Sequence, residues 1–212
     1  YTIVFSFILK TNIERYYLYL FVALIPWIFF SSSITVGSAS IVAQKDLIKK
    51  IYFPRMVIPI SYVTSSFVNM LLCFIVIFAV IIVSGAGINF LALLTLPVIM
   101  LVEYILALGM AMLTSAITVY FRDLEHILGI VTMAWMYMTP IMYDKSIVPE
   151  NLMPIFNLNP MTHVIECYRA VLYEKKIPDL TTLLSAAGLG ILILIVGILV
   201  FNKLQKRFAE EL

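Results

Sequence analysis

Long stretches without a single Asp, Glu, Lys or Arg dominate this chain, at 16–44, 56–102, 104–121, 127–143 and 180–202. Each is near or above the roughly 20 apolar residues that carry a helix across a bilayer. Gly, Pro and charged residues punctuate them into spans predicted over 17–43, 59–84, 90–120, 127–143 and 181–201. The apolar run 1–9 is too short to span and reads as the outer end of a further helix whose first half precedes Tyr1, giving six spans. None of the runs alternates with period two. Backbone groups in hydrocarbon must be satisfied within the segment, so the runs are helices and not barrel strands.

Composition agrees with the pattern. Hydrophobic residues make up 63% of the 212, the mean hydropathy is +1.06, and only 12% are charged, against about 25% in soluble domains. Without an internal repeat or a low-complexity linker, residues 1–212 read as one membrane domain with no soluble nucleotide-binding domain attached. Lys45, Lys49, Lys50, Arg55, Arg122, Lys203, Lys206 and Arg207 crowd two short loops and a tail, which makes that side cytoplasmic. The opposite side carries Lys10, Arg15, Lys145, Arg169, Lys175 and Lys176, diluted over longer connections and balanced by acids.

Four segments carry candidate chemistry. In the first cytoplasmic connection, Gln44 to Arg55, a short helix ended by Pro54 would place Leu47, Ile48 and Ile51 on one face and basic residues on the other. Two readings stand: an ordinary basic loop, or a helix whose apolar stripe is covered by headgroups or by a soluble partner. In the long outer connection 144–179, Asn159 is placed to cap a helix and Pro160 to begin it. Met161, Val164, Ile165, Tyr168, Val171 and Leu172 share its apolar face, opposite Thr162, Glu166, Arg169 and Tyr173. That helix is expected in the interface or re-entering the membrane shallowly, with an exposed Glu166–Arg169 pair and a second arm built around Pro149 and Pro154.

Glu103 is the one ionisable residue inside a predicted span, near mid-depth. An intramembrane acid is a functional candidate by default, and a neutral carboxyl bonded to a neighbouring helix is its structural alternative. Arg122, Asp123, Glu125 and His126 form a tight cytoplasmic turn in which Asp123 can cap the next helix and Glu125 sits in its first turn. Aromatic residues gather near span ends; most read as interfacial anchors, while Tyr16, Trp27, Tyr137 and Tyr143 are candidates to face a pathway and stack on sugar rings. Cys73 and Cys167 give no disulfide framework, and His126 and His163 stand too isolated for a metal site. The sequence contains no G-x-x-x-x-G-K-[ST] loop, no H-E-x-x-H, no G-x-S-x-G and no D-x-D pair, which disfavours an enzyme.

Five motifs in order resemble the ABC transporter type-2 permeases, and among them the exporters of lipid-linked polysaccharide such as O-antigen and teichoic acid. They are Ala23-Leu24-Ile25-Pro26-Trp27-Ile28-Phe29-Phe30, Leu47-Ile48-Lys49-Lys50-Ile51-Tyr52-Phe53-Pro54-Arg55, Val119-Tyr120-Phe121-Arg122-Asp123-Leu124, Thr139-Pro140-Ile141-Met142-Tyr143 and Asn157-Leu158-Asn159-Pro160-Met161. The resemblance implies an all-α bundle of six membrane helices, paired as a homodimer in a bacterial cytoplasmic membrane and docked on two separate ATPase subunits that bind ATP and Mg. It implies no cofactor on this chain, no nucleic acid, and a lipid-linked glycan as cargo. By the same resemblance Lys45, Asp46, Leu47, Ile48, Lys49, Lys50, Ile51, Tyr52 and Phe53 form the coupling helix that contacts the ATPase, and 151–176 forms a re-entrant unit at the exit. Family members usually begin with an interfacial helix that this sequence lacks. The rival readings are a type-2 exporter of drugs or small lipids, and an ion-coupled secondary transporter built on Glu103.

Overall fold

The computed structural model describes residues 13–51, 53–85 and 87–211. The expected helix at 1–9, Lys10 and Tyr52 of the coupling segment lie outside them. Among the described residues every regular element is helical: α1 (Tyr16–Ala43), α2 (Lys45–Lys50), α3 (Val57–Val83), α4 (Phe90–Leu93), α5 (Leu96–Thr118), α6 (Leu124–Tyr137), α7 (Met153–Leu158), α8 (Pro160–Leu172), α9 (Leu180–Leu204) and α10 (Phe208–Glu211).

Among the described residues, four stretches are long and apolar enough to cross a membrane: Tyr16–Ala43, Val57–Val83, Phe90–Thr118 and Leu180–Arg207. The third is not one straight rod. It breaks at Leu94 and Thr95, one turn before Pro97, so that the short α4, capped by the Asn89 side chain, precedes α5. Between α3 and α4 the chain turns through Gly85 (φ 62) and Gly87 (φ 76), left-handed positions where glycine has no Cβ to clash.

The span expected over 127–143 is corrected. Its helix, α6, covers 14 residues and stops at Tyr137, a rise of about 21 Å against a hydrocarbon layer of about 30 Å. Residues 138–143 continue as a turn, because Pro140 has no N–H to extend the helical ladder. The passage still runs from one end of the bundle to the other. Val119 and Tyr120 pack with Ile41 and Ile48 at one end, while the Met142 carbonyl accepts from Tyr16 at the other.

Packing centres on α5, which lies against α9 and α1, with α3 covering α1. Gly109 and Gly197 bring α5 and α9 into backbone contact; a Cβ on Gly109 would lie 2.6 Å from the Leu194 Cα. Small residues permit this approach where lipid supplies no hydrophobic drive between helices. Outer faces of α3 and α9 remain apolar and uncovered, with Ile75, Ile82, Leu184 and Leu199 all exposed.

Candidate functional site

Functional residues fall at three levels of the bundle. At the end bearing the eight clustered cations, α1 passes through Gln44 into α2, a helix of six residues. The expected helix from Lys45 to Phe53 is therefore shorter than anticipated. It ends at Lys50, with Ile51 already extended (φ −132, ψ 134), so Phe53 belongs to the following turn, where it packs against the local core. Nor do Leu47, Ile48 and Ile51 act as one face. Ile48 is buried among Ile41, Ile58, Met112, Val119, Phe201 and Phe208, whereas Leu47 and Ile51 stay exposed. Spacing alone does not make the split, since at 100° per residue the three lie within one 100° arc; Ile48 is drawn inward by Phe201 and Phe208, and Ile51 has already left the helix. Lys45, Asp46, Lys49 and Lys50 are exposed around them.

The loop holding Arg122, Asp123 and Glu125 is exposed at the same end. Asp123 does stand at the N-cap of α6 with Glu125 in the first turn, but its side chain makes no capping bond; its residue adopts φ −69 and ψ −12, which is helical and not the extended geometry a cap needs.

At mid-depth Glu103 is completely buried and accepts a 2.6 Å hydrogen bond from the Tyr168 hydroxyl of α8 on Oε2. Its Oε1 has no hydrogen-bond partner among the described residues. Tyr168 is itself fully buried and leans on Phe74 of α3 at 5.5 Å, so this acid joins α5 to the outer helical unit.

That unit is sunk more deeply than the sequence suggested. Asn159 caps α8 through Met161 N and Pro160 opens it, as its position indicated. Its apolar face is buried as expected. Thr162 and Arg169, expected on the open face, are buried too, and in all 11 of the 13 residues are covered. The expected Glu166–Arg169 pair does not form. Glu166 binds Lys145 instead, at 2.8 Å, while Arg169 turns inward, donates to the Ile141 carbonyl at 2.7 Å and stacks on the Tyr19 ring at 3.6 Å. Tyr19 and Tyr16 donate to the carbonyls of Tyr143 and Met142, so the turn after α6 is held from two sides. The shorter α7, which contains Pro154, forms the second arm.

Beside this latch opens a polar cavity of about 440 Å³, lined by Asp144, Lys145, Glu166, Lys176 and Asp179 among others. The Thr181 hydroxyl donates to the Asp179 carboxylate and holds it below the usual carboxylate range, so it is charged at neutral pH. Of the proposed pathway aromatics, Tyr16 and Trp27 are buried inside the protomer, Trp27 lying edge-on to Trp135 of α6 at 6.3 Å. Tyr143 is half-buried and donates to the Tyr137 carbonyl, and Tyr137 alone stays open at 55% exposure. Sequence reasoning did not find the contacts of Arg55, Tyr120 and Phe208, described below. The bonds from Tyr120 to Leu204 and from Arg55 to Gln205 join positions 84 and 150 residues apart that no local pattern links.

Residues 1–173 match the ABC-2 type transporter family. Over its whole length the chain is similar to three proteins named O-antigen export system permease protein RfbA. One, from Myxococcus xanthus, is 29% identical over 214 residues; two, from Klebsiella pneumoniae, are 33% and 32% identical over 212 and 213 residues. In each case 82% of the relative is covered. With a family match across most of its length and an all-helical bundle built around four membrane-length helices, this chain belongs to the ABC-2 type transporters, as a multi-pass transport component that works with an ABC ATPase and is not itself an enzyme.

Proposed function

We propose that this protein is the permease subunit of an ATP-driven exporter that moves a lipid-linked polysaccharide of the O-antigen type across the cytoplasmic membrane. The observation that carries the cargo is the full-length similarity to three permeases named for O-antigen export. In this reading two copies pair and two ATPase subunits, which hold ATP and Mg, dock on the cationic end. The bundle has six spans, of which α1, α3, α4 with α5, the 124–143 passage and α9 are five.

α2 is the coupling helix. Its geometry suits the role: Ile48 roots it in the bundle while Leu47 and Ile51 project as apolar prongs among lysines. Hiding a leucine side chain in a partner groove contributes about 1.5 to 3 kcal/mol, roughly a 10- to 100-fold change in affinity. Leu47→Asp should therefore lower co-purification of the ATPase by that order and abolish surface glycan in a strain lacking the native gene. Undiminished ATPase binding would remove α2 from the interface. Restored resistance to a drug, with no effect on glycan, would move the cargo to the small-molecule class. Export that persists without any ATPase but stops with Glu103→Gln would establish ion coupling.

A further inference from the structure

The C-terminal turn, residues 205–211, is tied into the base of α2 more tightly than a trailing tail needs to be. Phe208 is fully buried, edge-on to Phe201 of α9 at 5.6 Å and tilted against Tyr120 at 6.5 Å. The Tyr120 hydroxyl donates to the Leu204 carbonyl at 3.0 Å, closing the end of α9 onto the end of α5. From the other side Arg55, just after α2, donates to the Gln205 carbonyl and sets its guanidinium 6.0 Å from the Phe208 ring. Ile48, the one buried residue of α2, belongs to this same cluster.

We infer that Phe208 and Arg55 are positioning residues that carry a displacement of α2 into the α5–α9 pair. The inference rests on α2 being the coupling helix. Five of its six residues are exposed, so among the described residues Ile48 and the backbone are its grips on the bundle. A push on Leu47 or Ile51 from outside is resisted first by the Ile48, Phe201 and Phe208 cluster. Close-packed side chains transmit displacement because they cannot compress. Behind them, Gly109 and Gly197 hold α5 and α9 in backbone contact, so the two helices move as one body. α5 in turn holds the outer unit through Glu103 and Tyr168. A continuous chain of contacts thus leads from the exposed prongs to the outer helices.

The test uses the permease co-purified with its ATPase, in nanodiscs for ATP hydrolysis and in cells for export. Phe208→Leu keeps the site apolar but removes the ring that Arg55, Phe201 and Tyr120 meet. Arg55→Gln removes the charge over that ring. Both should assemble with the ATPase and hydrolyse ATP, while surface polysaccharide per assembled complex falls about fivefold, within the range by which contacts along a coupling network act. Arg55→Lys, which still donates to the Gln205 carbonyl, should recover much of the loss. Normal export per complex in both variants overturns the inference, as does a fall in export matched by an equal fall in assembly. Tyr120→Phe, which deletes a single hydroxyl, serves if Phe208→Leu does not insert. Failure of the docking reading is distinguishable, because it appears in Leu47→Asp as unchanged ATPase binding.

Discussion

Two short amphipathic helices at opposite ends of the molecule, α2 and α8, meet opposite fates. α8 is wedged into the bundle with 11 of 13 residues covered, whereas α2 projects with one buried residue. The difference lies in what surrounds them. α8 is gripped by partners far along the chain, through Arg169 on the Ile141 carbonyl and the Tyr19 ring, Tyr168 on Glu103 and, just past its end, Tyr173 on the Glu14 carbonyl. α2 has only Ile48 in an aromatic cluster. Under the proposed function, the first is fixed beside the exit and the second keeps its prongs free for a partner.

The comparison can be broken most severely at Arg169. Arg169→Met strips the Ile141 carbonyl of its donor and Tyr19 of its cation, and should lower stability by about 3 kcal/mol, read as an earlier thermal midpoint of the detergent-purified permease. A midpoint within a degree of the parent would mean that α8 is not bolted at this residue. Next comes Tyr168→Phe, which leaves the buried Glu103 carboxyl with no donor in this structure. Hydrogen bonds between membrane helices contribute about 0.6 to 1.7 kcal/mol, so a loss of that size is expected. Glu103→Gln, which still offers an oxygen to the Tyr168 hydroxyl, should lose less. If the glutamine variant proved the more damaging of the two, the acid would be needed for something other than this bond. The smallest effect on stability belongs to the other helix: Leu47→Asp should leave the midpoint unchanged, within about 0.5 kcal/mol, even as ATPase binding is lost. A large drop would place Leu47 in the core.

The site was less legible in the sequence than the spans, and α8 shows why. Its heptad-like pattern named the apolar face correctly, and Asn159 with Pro160 marked its start. Yet the same pattern sent Arg169 outward, because helical periodicity assumes that a cation seeks water. In the folded chain Arg169 has an aromatic face and a carbonyl turned toward it by the stop at Pro140, and these satisfy it inside. Glu166 found Lys145 in place of its helix neighbour for the same reason. At α2, spacing grouped Ile48 with Leu47 and Ile51, and only the presence of Phe201 and Phe208 from the far end of the chain separated them.

Charge-free length and its punctuation were enough to determine where α1, α3, α5 and α9 run, since in lipid a segment of any other form would leave its backbone groups unbonded at too great a cost. Sequence motifs likewise sufficed for the family. Which faces of those helices meet protein and which meet lipid was decided only by the tertiary structure. Lipid is as apolar as a protein core, so hydrophobicity does not distinguish the two, and the choice falls to close fit, as at Gly109 and Gly197, and to the few polar groups that must find one another.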